Sequence, residues 1–202
     1  MNLVREYVRR LLTEAAKGVG DLITGDVYVT ISKDVDDVIV YYSNQLGKKN
    51  YLASDGIVGE VGIVKSREMG DGDCSDSWQV DYAEAPKGWG PLLYDVAIEY
   101  ATLNGGGLAS DRVGVSEEAR RVWDYYMNNR PDVQSHQLDK LVSEPLPGPQ
   151  LTPDTTDDDC KQASSSRDKT SDKWFESSSS KRYTKEPATI ERLRSAGRLI
   201  EL

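Results

Sequence analysis

Ser77-Trp78-Gln79-Val80-Asp81-Tyr82-Ala83-Glu84-Ala85-Pro86-Lys87-Gly88-Trp89-Gly90-Pro91 is the stretch on which the reading of this chain turns. Trp78 to Tyr82 has the composition of a strand, and Pro86 to Pro91 that of a tight turn. Pro91 then opens a helix, where a missing N–H has no cost because a first-turn N–H has no helical partner. A turn of this kind aims several N–H groups at one spot. The positive end of the helix dipole lies at the same spot, so the place suits an anion and above all a phosphate. Gly88 and Gly90 allow the backbone to come close to such a ligand.

Outward from the turn, Leu92, Leu93, Val96, Ala97, Tyr100 and Ala101 form the apolar stripe of a helix over Pro91 to Leu103. Asn104-Gly105-Gly106-Gly107 stops it. A short strand is expected at Leu108 to Asp111. Ser116 caps the next helix, with Glu117 and Glu118 in its first turn and Ala119, Val122, Trp123, Tyr126 and Met127 on its buried face. A further short helix is expected at about Val133 to Val142. Upstream, Asp26 to Ser32, Val38 to Tyr42 and Ile57 to Val64 read as strands, and residues 66 to 76 as a polar loop. The sum is an α/β (α+β) domain over residues 22–142.

The flanks differ in character. Leu3, Val4, Tyr7, Val8, Leu11 and Leu12 repeat at helical spacing opposite Arg5, Glu6, Arg9 and Arg10, so residues 1–17 are expected to form an amphipathic helix ended by Gly18 and Gly20. Residues 143–186 are acidic and serine-rich and read as a polar, disordered linker. Residues 187–202 regain helical spacing and read as a short helix.

The 202 residues carry a formal net charge of −9, which disfavours binding along a nucleic acid backbone. No apolar run has the length of a membrane span, and the N-terminus lacks the unbroken apolar block of a secretory signal. Cys74 and Cys160 have no metal-ligand spacing, so no metal site is expected; they read as free thiols of a protein that is not secreted.

The order strand, glycine turn, helix, strand, helix resembles the GNAT family of N-acetyltransferases over about Asp26 to Arg130. Ala85-Pro86-Lys87-Gly88-Trp89-Gly90 is similar to the family loop Gln/Arg-x-x-Gly-x-Gly/Ala, with both glycines present and the first polar position replaced. Ser116-Glu117-Glu118-Ala119-Arg120-Arg121-Val122-Trp123 is similar to the family's Asn-x-x-Ala-x-x-Leu-Tyr, with Trp123 in place of the tyrosine. The resemblance implies a mixed, mostly antiparallel, splayed sheet flanked by helices. It implies acetyl-CoA as acyl donor and an amine as acceptor. Lys87, Gly88, Trp89 and Gly90 would bind the pyrophosphate, and strand amides from Trp78 to Ala83 would hold the acyl carbonyl. Glu84 is the first candidate for the base, ahead of Asp81 and Glu60. An indole cannot protonate a thiolate as the family tyrosine does. Tyr125 and Tyr126 are the candidates to replace it, with core packing the alternative for Tyr126 and simple exposure that for Tyr125. His136 reads as a surface residue, and Asp111-Arg112 as a local salt bridge, with lining of the acceptor site as the alternative.

The segment Leu12-Thr13-Glu14-Ala15 behind an amphipathic helix resembles the capsid-targeting peptides of T-even-type phages, which are cut after Leu/Ile-x-Glu. That likeness implies a phage protein of the host cytoplasm or the virion, cut after Glu14, with phage head proteins as partners. It leaves two functions open: an acetyl-CoA-dependent N-acetyltransferase, or a non-catalytic virion or internal head protein on a degenerate acetyltransferase scaffold.

Overall fold

The computed structural model describes residues 17–23, 27–49, 59–65, 76–86, 88–111, 114–140, 161–162 and 176–202. The expected helix over residues 1–17 with its cut after Glu14, both cysteines, Lys87 and Arg112 lie outside them, except for Lys17. Hydrogen bonding among the described residues orders eight strands in one mixed sheet, β10 (Leu199–Glu201), β1 (Tyr28–Lys33), β2 (Asp37–Ser43), β3 (Glu60–Lys65), β4 (Trp78–Glu84), β5 (Leu108–Ala109), β9 (Lys181–Lys185) and β6 (Val133–Gln137) in that order. A separate parallel pair joins β7 (Asp139–Lys140) to β8 (Lys161–Gln162). The chain divides into two compact units, and β3 (Glu60–Lys65), β4 (Trp78–Glu84) and α2 (Gly90–Leu103) each contribute to both.

In the first unit, β1 (Tyr28–Lys33) and β2 (Asp37–Ser43) form an antiparallel pair with Ile31 opposite Val40 and Val29 opposite Tyr42. Val29, Thr30 and Ile31 are all buried, so β1 is covered on both faces. Thr30 is tolerated there because its hydroxyl shares a 2.6 Å hydrogen bond with that of Ser43. β10 (Leu199–Glu201) adds to β1 in parallel. Among the described residues, α1 (Val19–Ile23) and α4 (Ala188–Ser195) lie wholly in this unit. Asp21 accepts the Gly18 N–H at 2.9 Å and closes the start of α1; that bond is the main reason its carboxyl sits below the usual range.

In the second unit, Trp78 packs edge-on to Tyr100 of α2, with centroids 5.7 Å apart. β5 (Leu108–Ala109) runs parallel to β4, and β9 (Lys181–Lys185) runs antiparallel to both β5 and β6 (Val133–Gln137). α3 (Glu117–Asn129) starts at Ser116, whose Oγ accepts the Ala119 N–H at 3.1 Å, as its position in the sequence predicts. The glycine run after α2 is sterically required. A Cβ at Gly105 would lie 2.2 Å from the Asp76 carbonyl oxygen, and one at Gly107, whose φ is +104°, 2.6 Å from that of Tyr183.

Four expectations are corrected here. Val133 to Val142 was to form a helix, but it supplies β6 and β7. Residues 143–186 were to be a disordered linker, yet their last part is core: Ser178–Ser180 make a buried 3-10 turn and β9 lies inside the sheet. Residues 187–202 hold β10 as well as the short helix. The physical reason is that β9 is buried by pairing instead of by apolar composition. Tyr183 stacks on Trp123 at 4.9 Å, its hydroxyl donates to the Ser178 carbonyl, and the Lys185 ammonium meets the buried Glu99 carboxylate. His136, expected at the surface, is a half-buried residue of β6 that shares a 2.9 Å hydrogen bond with Thr184.

Candidate functional site

β4 changes character along its length. Trp78 and Val80 are buried, but every residue from Asp81 to Pro86 is exposed. Its pairing with β5 covers Trp78 opposite Leu108 and Gln79 opposite Ala109. The strand therefore reaches the glycine turn with its last residues open to solvent. Tyr82 lies across Gly62 of β3, where a built Cβ would come within 2.3 Å of its ring; the glycine makes room for the tyrosine.

The turn itself is built by three bonds. The Trp89 N–H donates to the Pro86 carbonyl at 3.0 Å, and Gly88 takes φ +87° to allow it. The Lys17 N–H donates to the Gly88 carbonyl at 2.7 Å. The Tyr42 hydroxyl donates to the Trp89 carbonyl at 2.7 Å. Tyr42 is buried, and its pKa is raised, chiefly by that burial and then by the charges of Asp95 and Asp21, so it remains a donor. The Trp89 indole stands edge-on to the Tyr42 ring at 5.3 Å.

Peptide planarity converts these bonds into directions. In a trans peptide the C=O and the following N–H point opposite ways. The Trp89 carbonyl faces the buried Tyr42 hydroxyl, so the Gly90 N–H faces away from it. The Leu92 N–H, in the first turn of α2, has no helical partner four residues back, whereas that of Leu93 stands opposite the Trp89 carbonyl, the first to accept a helical bond. The Gly90 and Leu92 amides and the dipole of a 14-residue helix converge at Gly90. One expected contributor is lost: the Trp89 amide is spent inside the turn.

The two motif glycines are not equivalent. Gly88 is needed for its backbone angle. Gly90 has no such need: its φ is not positive, and among the described residues a Cβ there would meet only the Ala85 Cβ, at 3.7 Å. Glycine at a helix start weakens the helix, and the described fold gives no steric return for it. Gly59 is a contrasting case, hemmed in at 3.2 Å by Ala85, Leu93 and Tyr42.

The other candidate residues fall in several places. Glu84 ends β4 as an exposed carboxylate beside the turn. Asp81 is exposed, and Glu60 is held by the Lys49 ammonium. Tyr125 and Tyr126 belong to α3 of the second unit. Tyr126 is 1 % exposed, lies 5.8 Å edge-on from half-buried Tyr125 and has the Arg130 guanidinium 5.3 Å over its ring. That is a core environment. Trp123 is buried against Tyr183. Sequence reasoning missed Tyr42 and Lys17 as supports of the turn, since neither carries a local signal for contacts 47 and 71 residues away.

Among the described residues, no cluster of His, Cys, Asp or Glu could hold a metal ion, and no helix is long and apolar enough to cross a membrane. No family model, no curated protein and no solved structure matches the chain.

Proposed function

We propose that the protein is an acetyl-CoA-dependent N-acetyltransferase in which the Gly88–Gly90 turn and the start of α2 bind the pyrophosphate of the acyl donor. The observation that carries this reading is Gly90, a helix-weakening glycine without a steric or conformational need in the described fold, at the point where outward amides converge. A ligand that must approach the backbone closely supplies the missing reason. The exposed end of β4, running free of β5 beyond Gln79, supports it by placing solvent-open strand beside the turn, where the acyl carbonyl would lie. Glu84 is the proposed acceptor of the amine proton, and the splayed-sheet arrangement implied by the resemblance is the proposed frame.

Thermal melting with and without acetyl-CoA tests the cradle. At about 100 times the dissociation constant, binding adds roughly 2.7 kcal/mol. Gly88→Asp abolishes that gain by adding bulk and negative charge to a left-handed position. Absence of any shift with the native chain at millimolar acetyl-CoA refutes the reading.

A second reading, a non-catalytic phage virion or internal head protein on the same scaffold, is favoured by the surroundings of α3. Trp123 and Tyr126 are both packed in the core, which argues against either as a thiolate acid. Binding of acetyl-CoA without turnover on any of a panel of amines would select it. The cut after Glu14 and the partnership with phage head proteins go with that reading.

A further inference from the structure

We infer that β10 is the seam of a homodimer, pairing antiparallel with β10 of a second copy across a two-fold axis at Ile200. The argument begins with which backbone groups are already used. Val29 N–H donates to the Arg198 carbonyl at 2.9 Å, Leu202 N–H to that of Ile31 at 2.9 Å, and Lys33 N–H to that of Leu202 at 3.2 Å. The Arg198 carbonyl and both polar backbone groups of Leu202 therefore face β1, while the Arg198 N–H donates to the Leu193 carbonyl at 2.8 Å, and strand alternation turns both groups of Ile200 toward β1. Leu199 and Glu201 turn theirs the other way. β10 is the end strand of the sheet, so among the described residues those outward groups have no neighbour.

The outward set is self-complementary. In an antiparallel ladder a hydrogen-bonded pair exchanges both N–H···O bonds. With Ile200 opposite its own copy, Leu199 of one chain faces Glu201 of the other, and both members of each pair present N–H and C=O. The axis creates that pair twice. Charge is compatible with it: Glu201 arrives with its own Arg194 at 3.4 Å, so the copies do not oppose bare carboxylates. An apolar strip flanks the seam, in which Leu202 is 61 % and Leu46 is 70 % exposed, and Leu202 and Ile200 close over Gly47 at 3.3 and 3.5 Å from its built Cβ. Exposed apolar side chains beside an open sheet edge are what association covers.

Sedimentation equilibrium of the full chain over a wide concentration range tests this. The expected species has twice the 22.4 kDa protomer mass. Glu201→Pro removes an N–H that points away from β1 and thus leaves the β1–β10 bonds in place. It should raise the dissociation constant roughly tenfold or more, because it deletes two of the bonds across the seam. Arg194→Ala, which breaks only the Arg194–Glu201 pair, should leave it within about threefold. Amide exchange supplies a readout without any variant: Leu199 and Glu201 should gain protection as protein concentration rises, while Leu202 is protected throughout. A monomer at every concentration, a Glu201→Pro dimer of unchanged affinity, or protection of Leu199 and Glu201 independent of concentration (another segment of the same chain on the edge) would each overturn the inference.

Discussion

Gly90→Glu separates stability from ligand binding, because the two should move in opposite directions. The new Cβ meets only Ala85 at 3.7 Å among the described residues, so no clash is created. Replacing glycine removes a chain-entropy penalty of roughly 0.5–1 kcal/mol within a helix. A carboxylate in the first turn gains about 0.3–1 kcal/mol from the helix dipole. The apoprotein should therefore gain about 1 kcal/mol, or roughly 2–4 °C in Tm for a chain of this size. The same carboxylate stands where the diphosphate is proposed to sit. Two like charges about 6 Å apart at an effective dielectric of about 20 repel by roughly 2.8 kcal/mol, a loss near a hundredfold in affinity. At a donor concentration of about 100 times the native dissociation constant, native protein gains roughly 2.7 kcal/mol, while the variant gains only about 0.4 kcal/mol. Differential scanning fluorimetry with and without acetyl-CoA reads both effects. A variant that melts higher and still shows the native ligand shift refutes the cradle. A variant that melts well below the native protein refutes the claim that Gly90 has no structural role.

Lys185→Met should cost about 3–5 kcal/mol, because it strands the Glu99 carboxylate, whose side chain is 0 % exposed, without its ammonium. Chemical denaturation checks it; Glu99→Leu in the same chain should restore much of the loss, and a single-variant loss below about 1 kcal/mol would show that the pair is not a buried one. His136 has its pKa lowered by burial and secondarily by the Arg182 charge. Its folded value is thus below the unfolded one, so its contribution is intact above about pH 6.5 and is lost as pH falls through the folded value. Denaturation midpoints between pH 7.5 and 5 should drop for native protein and flatten for His136→Gln, and identical slopes would count against it. Asp132, held low by Arg130, acts in a separate window: its stabilisation is lost only as pH falls below the ordinary carboxylate range.

How much of this could be read in advance depended on whether local chain chemistry decided the outcome. The helix after the glycine turn was expected from Pro91 to Leu103 and spans Gly90–Leu103. β2 was expected over Val38 to Tyr42 and spans Asp37–Ser43. Both carry dense apolar patterns, and α3 adds a serine cap. β9 was illegible because Lys-Arg-Tyr-Thr-Lys has one apolar side chain, and the burial of Lys185 requires Glu99, 86 residues away. The serine turn before it reads as solvated chain, yet it is satisfied by Asp124, whose carboxylate accepts the Ser178 hydroxyl at 2.6 Å. At the candidate site, the glycines and their position were legible. Which amide the turn consumes was not, because that rests on Gly88 taking a left-handed angle and on Tyr42 reaching the Trp89 carbonyl.

The late arrival of β9 has a consequence for synthesis. β5 and β6 are translated well before the strand that pairs with both, and Glu99 precedes its cation by 86 residues. At about 5–20 residues per second, a ribosome needs several seconds to bridge that gap. During that interval the nascent chain carries an acidic group that must stay wet, one ribbon open along one edge and another whose neighbour has yet to be made. A polypeptide halted upstream of Lys181 should accordingly remain protease-sensitive and chaperone-bound, and the codons from Lys181 onward, not the first hundred, should time its passage to the native state.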